Sequence, residues 1–334
     1  GYLLLADDEK TLSKRMEKDS YFVRVYAKNQ MYTGKHIATK LWVGDYTTGD
    51  TFEKFAQKAE GIKRIGVLRA DVDNLGQTFV AGFAGKYATL SRTAALSRQL
   101  SIFFKYYIRS ILKNGEYHID GEKKLTERNA TIVYSGGDDV FIVGAWNEVI
   151  ELSIDLQEKF KKYTQGTLSI SSGIGIYECT YPIGAIANET GEMEAESKRM
   201  PEKDSVTLMD DGETHLINEL EICDGTYRWE ELYKSVLGEK YDVIQDFLGE
   251  SDERGMSFLY RMLELIRNQK EKINFARFVY LLSRLEPDKE GEKKEKYRKF
   301  SRKMYQWVQS EKDCRELKTA INLYAYMHRE KGAH

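Results

Sequence analysis

Two glycines followed by two aspartates interrupt an otherwise apolar stretch of this chain. Tyr134-Ser135-Gly136-Gly137-Asp138-Asp139-Val140-Phe141 lies across the apolar runs Thr131 to Tyr134 and Val140 to Val143. An apolar run, Gly-Gly and a second apolar run predict a β-hairpin, because paired glycines reach the positive φ angles of a tight turn. Two carboxylates then stand together at the tip, and their repulsion asks for a counter-charge. A divalent cation supplies one, since hard oxygen ligands suit Mg²⁺ or Mn²⁺. On these eight residues alone, a solvated turn with two surface charges explains the pattern as well.

A second acidic stretch changes that balance. Ile65-Gly66-Val67-Leu68 reads as a central strand buried on both faces, and it runs through Arg69-Ala70 into Asp71-Val72-Asp73-Asn74-Leu75-Gly76. Aspartates at i and i+2 of an extended chain project to the same side. Asn74-Leu75-Gly76 reads as a tight turn whose free backbone N–H groups suit phosphate oxygens. Capping of the next turn accounts for one of the two aspartates, but less readily for both.

The chain between and after these stretches predicts their setting. Lys86 to Lys113 reads as the longest helix, with Leu96, Leu100, Phe103, Phe104, Tyr107, Ile108, Ile111 and Leu112 forming one apolar stripe. Ser91-Arg92 near its start puts an arginine where a strand-end phosphate could meet it, although an exposed helical arginine is ordinary. A polar hairpin from His118 to Asn129 leads into the Gly-Gly-Asp-Asp turn. Asn147 is a candidate N-cap for a helix to about Tyr163, and Leu168 to Ile176 alternates as a strand. The small residues of that strand suggest close approach by another backbone or a ligand. Pro182 opens a further helix bearing Glu194, Glu196, Ser197 and Lys198, and Ser205 to Met209 is a final short strand. From Ile65 the order is βαββαβ, an α+β, ferredoxin-like or palm arrangement. In that topology the first strand pairs with the hairpin, so Asp71 meets Asp138 and Asp139.

Residues 1–60 read as strands and turns, a β-rich piece that the resemblance given below implies is the tail of a linker domain, with strands at Tyr21 to Tyr26 and Ile37 to Val43. Arg24, Lys28, Lys35 and Lys40 there suit a solvated sheet face. The palm is expected over 61–212. Residues 213–334 form five helices of a bundle: Trp229 to Leu248, Phe258 to Ile266, Phe275 to Leu285, Tyr297 to Val308 and Leu317 to Met327.

Composition narrows the chemistry. The formal net charge of −2 provides no global basic field for nucleic acid. Cys179, Cys223 and Cys314 are scattered without a CxxC, which argues against a zinc site or a disulfide framework and fits a reducing cytoplasm. No apolar run is long enough to span a membrane. The first residue, Gly1, is expected to mark a piece of a longer chain. Carboxylates converging on a palm-type sheet have one dominant use, two-metal phosphoryl or nucleotidyl transfer.

Leu68 to Gly76, Leu96-Ser97-Arg98-Gln99-Leu100 with Phe103-Phe104, and Tyr134 to Gly144 together resemble the large subunit (Cas10 family, Csm type) of type III-A CRISPR effector complexes. The resemblance covers most of residues 35–210. It implies the second of two palm domains, one that makes cyclic oligoadenylate second messengers from ATP after capture of target RNA. Asp138 and Asp139 match the family's paired catalytic carboxylates, and Asp71 with the carbonyl of Val72 matches its first-strand metal site. Ser135, Gly136 and Gly137 would lie against a nucleotide, together with the Asn74, Leu75 and Gly76 turn and Arg92. Lys198 would hold a phosphate, against the alternative of a solvated helical lysine. The implied cofactors are two Mg²⁺ or Mn²⁺ ions, with ATP as substrate. The implied partners are the small helical subunit at the bundle, the crRNA 5′-end-binding subunit at the palm, and crRNA and target RNA through the complex. The family's nuclease domain needs a His-Asp pair, and none of the five histidines precedes an aspartate. A diguanylate-cyclase-like enzyme and a non-catalytic assembly scaffold are the rival readings. The first carries Gly-Gly-Asp/Glu-Glu-Phe where this chain has Gly-Gly-Asp-Asp-Val-Phe.

Overall fold

The computed structural model describes residues 3–5, 8–18, 24–28, 37–41, 43–49, 51–121, 124–209, 212–249, 254–267 and 272–329. The chain forms two compact units, Gly1–Gly44 and Asp45–His334. In the first, helix α1 (Glu9–Lys18) precedes two short parallel strands, β1 (Arg24–Lys28) and β2 (Ile37–Leu41). The helix departs from the expectation of strands and turns alone. Its run of Glu, Lys, Arg, Leu and Met, without Pro or Gly, consists largely of side chains that lose little rotamer freedom in a helix. Arg24 donates to the hydroxyl of Tyr26 at 3.2 Å on an exposed part of this pair. Tyr21 to Val23, Lys35 and Trp42 lie outside the described residues, as does the side chain of Lys40.

The second unit begins with α2 (Phe52–Lys58), whose N-cap Thr51 accepts from the amide of Lys54 at 3.4 Å. A six-stranded sheet follows. Its strands are β3 (Ile65–Val72), β4 (Ala130–Ser135), β5 (Asp139–Ala145), β6 (Ile170–Tyr177), β7 (Ser205–Leu208) and β10 (Thr226–Arg228), in the order β10-β7-β6-β3-β5-β4. Neighbouring strands in the run β6-β3-β5-β4 are antiparallel, as a βαββαβ chain with two crossovers requires. Parallel β7 and antiparallel β10 widen the sheet on the β6 side.

The crossovers are helical. After β3 come α3 (Leu75–Ala81) and α4 (Leu90–Ile102), which passes through wide π turns at Phe103–Tyr107 into α5 (Ile108–Lys113). The long helix therefore starts at Leu90, capped by Thr89, rather than at Lys86. Helix α6 (Trp146–Tyr163) joins β5 to β6, and α7 (Ile183–Ser197) joins β6 to β7. Ala145, not Asn147, is the N-cap of α6, and the Asn147 side chain instead accepts from the amide of Glu60 at 3.2 Å. Where a polar hairpin is expected before β4, the described residues form a loop bridged between Gly115 and Thr126.

Alternation along β3 sorts its side chains between two layers. Leu68, Ala70 and Val72 join the main core beneath α4 to α6, where Gly66 lets the backbone of Trp146 approach. Ile65 and Val67 face the other way, into a smaller cluster with Phe55, Val143 and Ile186 of α2, β5 and α7. Further along that second face the same alternation brings Arg69 and Asp71. Gly173 of β6 meets the backbone of Thr190 and Glu194 of α7, so the small residues of this strand do admit a neighbouring backbone. The helix covers the inner part of the face and leaves its end open.

Beyond β7 the chain adds a hairpin that sequence periodicity missed, β8 (Thr214–Ile217) with β9 (Leu220–Cys223). The expected helices follow. Helix α8 (Trp229–Glu231) runs through π turns at Leu232–Tyr241 into α9 (Asp242–Leu248). Four more complete the set: α10 (Arg254–Arg267), α11 (Lys272–Ser283), α12 (Glu292–Trp307) and α13 (Glu311–His328). They share the palm's core rather than standing apart from it. Buried Leu68, Ile142 and Trp146 are continuous with Trp229, Met304, Leu317 and Ile321, and the indole of Trp229 donates to the carbonyl of Ile170 at 2.8 Å. Within the described residues, no helix is long and apolar enough to cross a membrane.

Candidate active site

The open end of β3 is where the acidic residues meet. Backbone pairing places Asp71 directly opposite Asp139 on one side and Ser171 on the other. Side chains directly opposite one another in adjacent strands share a face, so Asp139, Asp71 and Ser171 form one row across the sheet. The next row back is Tyr134, Phe141, Arg69 and Gly173. Asp138 sits in the turn just before β5, where its carbonyl accepts from the amide of Val72 at 3.2 Å. Asp71 thus meets the distant pair Asp138 and Asp139, held by strand register.

The hairpin turn is built differently from the sequence expectation. Neither Gly136 nor Gly137 has a positive φ. Gly136 is needed for space: a Cβ there would lie 2.1 Å from Oδ1 of Asp139 and 2.5 Å from the Tyr134 hydroxyl. Its amide donates to the carbonyl of Asp139 at 2.8 Å, closing the turn. At Gly137 the nearest atom to such a Cβ is Oγ of Ser101 at 3.6 Å, an ordinary contact. Gly136→Ala is therefore expected to push the Asp139 carboxylate aside and weaken metal-dependent nucleotide binding by about tenfold, the equivalent of about 1.4 kcal/mol. Gly137→Ala should leave that binding within about twofold on the same scale. Titrating both variants with ATP and Mn²⁺ separates the two glycines.

Charge is concentrated here. Burial, followed by the nearby charges of Asp71 and Asp139, raises the pKa of Asp138 above the usual carboxylate range. The charge of Asp139 likewise raises the pKa of the Tyr134 phenol. One cation answers the cluster. The ammonium of Lys198, at the C-cap of α7, bonds to Oδ2 of Asp71 and lies 2.8 Å from Oε1 of Glu194. Burial alone would depress this ammonium's pKa, but its two carboxylate partners outweigh burial and raise it. Arg69 reaches the other oxygen of Glu194, its Nε lying 3.0 Å from Oε2. Glu194 and Arg69 are functional candidates that sequence reading passed over. The signals were there, Glu194 four residues before Lys198 on one helical face and Arg69 two before Asp71 on one strand face.

Other sequence candidates lie elsewhere. Asp73 does not project beside Asp71; β3 ends at Val72, and Asp73 is buried with Oδ2 accepting from Ser169 at 2.7 Å and from the amide of Asp204 at 3.1 Å. It braces the strand end. Asn74 takes a left-handed φ of 53° and accepts from Lys203 at 2.7 Å, while Leu75 and Gly76 open the short helix α3 rather than a bare turn. A Cβ on Gly76 would meet nothing within 4 Å. Ser135 pairs with buried Val140, and its hydroxyl donates to the carbonyl of Phe104 on the helical side of the sheet, away from the carboxylate row. Arg92 stacks over Tyr87, 4.3 Å from the ring centroid, and is not part of the acidic cluster.

Among the described residues no three His, Cys, Asp or Glu side chains are assembled as a metal cage. The donor chemistry nevertheless fits a hard divalent cation. Every acidic group in the row offers oxygen alone, and the cluster already draws in an ammonium as counter-charge.

Comparison with known proteins addresses the family and the fold. Residues 64–207 match the family model "Cas10/Cmr2, second palm domain", and residues 245–330 match "CRISPR RNA silencing complex Cmr2 subunit, second helical domain". A relative from Mycobacterium tuberculosis, "CRISPR system single-strand-specific deoxyribonuclease Cas10/Csm1 (subtype III-A)", is 42% identical over 331 residues, covering 98% of this chain and 39% of its own length. The chain thus spans about two fifths of that relative. The crystal structure of Csm1 from T. onnurineus shares the fold with a TM-score of 0.74 at 24% identity, over 92% of this chain and 44% of its own. A Csm1-Csm4 cassette in complex with pppApApA aligns with a TM-score of 0.67 at 26% identity, over 90% of this chain and 44% of its own. The palm sheet, its acidic strand end and these likenesses together show that the chain belongs to the Cas10/Csm1 family of subtype III-A CRISPR systems.

Proposed function

We propose that this chain carries the nucleotide-joining palm of a type III-A effector large subunit. On this reading it converts ATP to cyclic oligoadenylate when the crRNA-guided complex binds target RNA, as part of antiviral defence. The observation that carries the reading is the row of Asp71 and Asp139, closed by Asp138, at the open end of the central strand. The pppApApA bound by a structural relative supports it, being the linear product that successive additions of ATP leave before ring closure. The 3′-hydroxyl oxygen of one ATP attacks the α-phosphorus of another; that O–P bond forms, the bond to the leaving pyrophosphate breaks, and the hydroxyl proton goes to solvent.

In this scheme Asp71, the Val72 carbonyl, Asp138 and Asp139 would hold the metal. Two bound Mg²⁺ or Mn²⁺ ions supply neutralisation of the triphosphate, a more acidic attacking hydroxyl and a stabilised leaving group. Lys198 stands ready to exchange Asp71 for a phosphate oxygen.

The same reading assigns 1–60 to the tail of a linker domain, 61–212 to the palm and 213–334 to the bundle. It places the protein in the cytoplasm, with the 5′-end-binding subunit against the palm and the small helical subunit against the bundle. The Csm1-Csm4 pairing of the structural relative supports a partner subunit.

Incubating the complete complex with ATP, Mg²⁺ and target RNA should yield exonuclease-resistant oligoadenylate. Asp71→Asn should weaken Mn²⁺-dependent ATP binding by about tenfold, about 1.4 kcal/mol. A complex that assembles on RNA yet makes no such product, with ATP affinity indifferent to Mn²⁺ and to Asp71, would establish the scaffold reading instead.

A further inference from the structure

Resting on the metal-site reading above, the geometry points to Glu194 as a positioning residue that lets Lys198 act as a removable counter-ion. Without a divalent cation the ammonium neutralises Asp71; when the cation arrives, Lys198 withdraws onto Glu194 and faces the nucleotide's phosphates. Three observations carry this. Lys198 bonds to Asp71 and Glu194 at once, so release from one leaves it held by the other. Glu194 is itself fixed, being 12% exposed and anchored through its second oxygen to Arg69. Its backbone lies against Gly173, where any larger residue would push the helix outward, so α7 cannot carry Glu194 away from the sheet without losing that packing.

The arrangement solves a problem that an acidic site poses by itself. Carboxylates close enough to share a cation repel one another without it. A tethered ammonium relieves it at no cost in diffusion, and because it is tethered it remains beside the site as a phosphate ligand. Arg69, on the other oxygen of Glu194 and 44% exposed, flanks the same approach. Glu194 thereby presents two cations to one polyphosphate arm.

The test measures Mn²⁺ binding by the electron paramagnetic resonance of free Mn²⁺, using the whole protein without nucleotide, followed by ATP binding at saturating Mn²⁺. Lys198→Met removes the competing charge and should tighten Mn²⁺ about tenfold, the effect of an opposite charge within bonding distance on an ionised group. Glu194→Gln leaves Lys198 with Asp71 alone and should weaken Mn²⁺ about threefold, with the same origin. In the Lys198→Met background the Glu194→Gln effect should vanish, because Glu194 acts through the lysine; additive effects would overturn its positioning role. Both single variants should bind ATP more weakly, and Lys198→Arg should restore it. Unchanged or weaker Mn²⁺ binding by Lys198→Met overturns the counter-ion. The control is Asp138→Asn/Asp139→Asn: Mn²⁺ binding that survives it overturns the metal-site reading and the inference together, whereas binding lost there but insensitive to Lys198 overturns the inference alone.

Discussion

Asp138→Ala/Asp139→Ala is expected to abolish oligoadenylate synthesis by the complete complex while leaving the protein folded. Both carboxylates belong to the row that would hold the metal, and metal stabilisation of a phosphoryl transition state supplies several kcal/mol. At about 1.36 kcal/mol per tenfold, the loss should be at least about 1,000-fold in rate. Stability should move the other way. Because burial and neighbouring charges raise the Asp138 pKa, ionised Asp138 opposes folding, and its removal relieves Asp71 of a like charge. The melting temperature should therefore hold or rise slightly. A raised carboxylate pKa means that the folded chain loses stability as pH climbs through it, so any gain in the variant is larger at pH 7 than at pH 4. Equal oligoadenylate yield from wild type and variant would remove these residues from catalysis; loss of yield together with loss of the fold would show that the carboxylates are structural.

Arg128→Leu is expected to be the most damaging single change to the fold. This arginine is fully buried between the loop that precedes β4 and helix α6. Its guanidinium bonds to Glu151 through Nη1 and to Asp155 at 2.8 Å through Nη2, and Nη2 also donates to the carbonyl of Tyr117. The same two acids accept from the amides of Ile119 at 3.1 Å and Tyr117 at 2.9 Å, so one guanidinium and two acids pin the loop to the helix. Removing the guanidinium leaves both buried acids without their partner, which costs about 3–5 kcal/mol. With about 2–4 °C per kcal/mol for a domain this size, the melting temperature should fall by about 10 °C. Burial pushes the Glu151 carboxyl up to about 8 even against the pull of Arg128. Its proton is retained at low pH and released as pH rises through that value, and only the ionised form needs the arginine. The deficit of Arg128→Leu should consequently widen from pH 5 to pH 9. Glu151→Gln, which imitates the protonated acid, should cost about 1 kcal/mol or less, one neutral hydrogen bond being replaced by another. A melting temperature for Arg128→Leu within about two degrees of wild type would show that the cluster is not needed for the fold.

Much of this molecule follows from local pattern. The apolar run ending in Asp71, the Gly-Gly-Asp-Asp turn and the three- and four-residue spacings of the later helices are properties of neighbouring residues. They were enough to predict the palm topology, the meeting of Asp71 with Asp138 and Asp139, and the helical segments from Trp229 onward. Periodicity failed where an element is too short to show it. The strands β8, β9 and β10 have four, four and three residues. Helix α1 was missed for a different reason, since its mostly charged residues provide no strong apolar stripe.

The tertiary structure decided what each polar side chain does. Asp71 and Asp73 look alike in sequence, but β3 ends between them, so one joins the carboxylate row and the other is buried against Ser169 and Asp204. Gly136 and Gly137 look alike too; only the folded turn puts an Asp139 oxygen where one of them would carry a Cβ. Ser135 lies next to the Gly-Gly-Asp-Asp turn and is turned to the opposite face by strand alternation. Lys198 and Glu194 reach the site across more than a hundred residues because α7 packs on β6 at Gly173. Local sequence sets which groups are available and how they are spaced along an element. Register and packing set which face each group presents and which distant charge it meets, and at the end of β3 those two quantities separate a member of the carboxylate row from a brace.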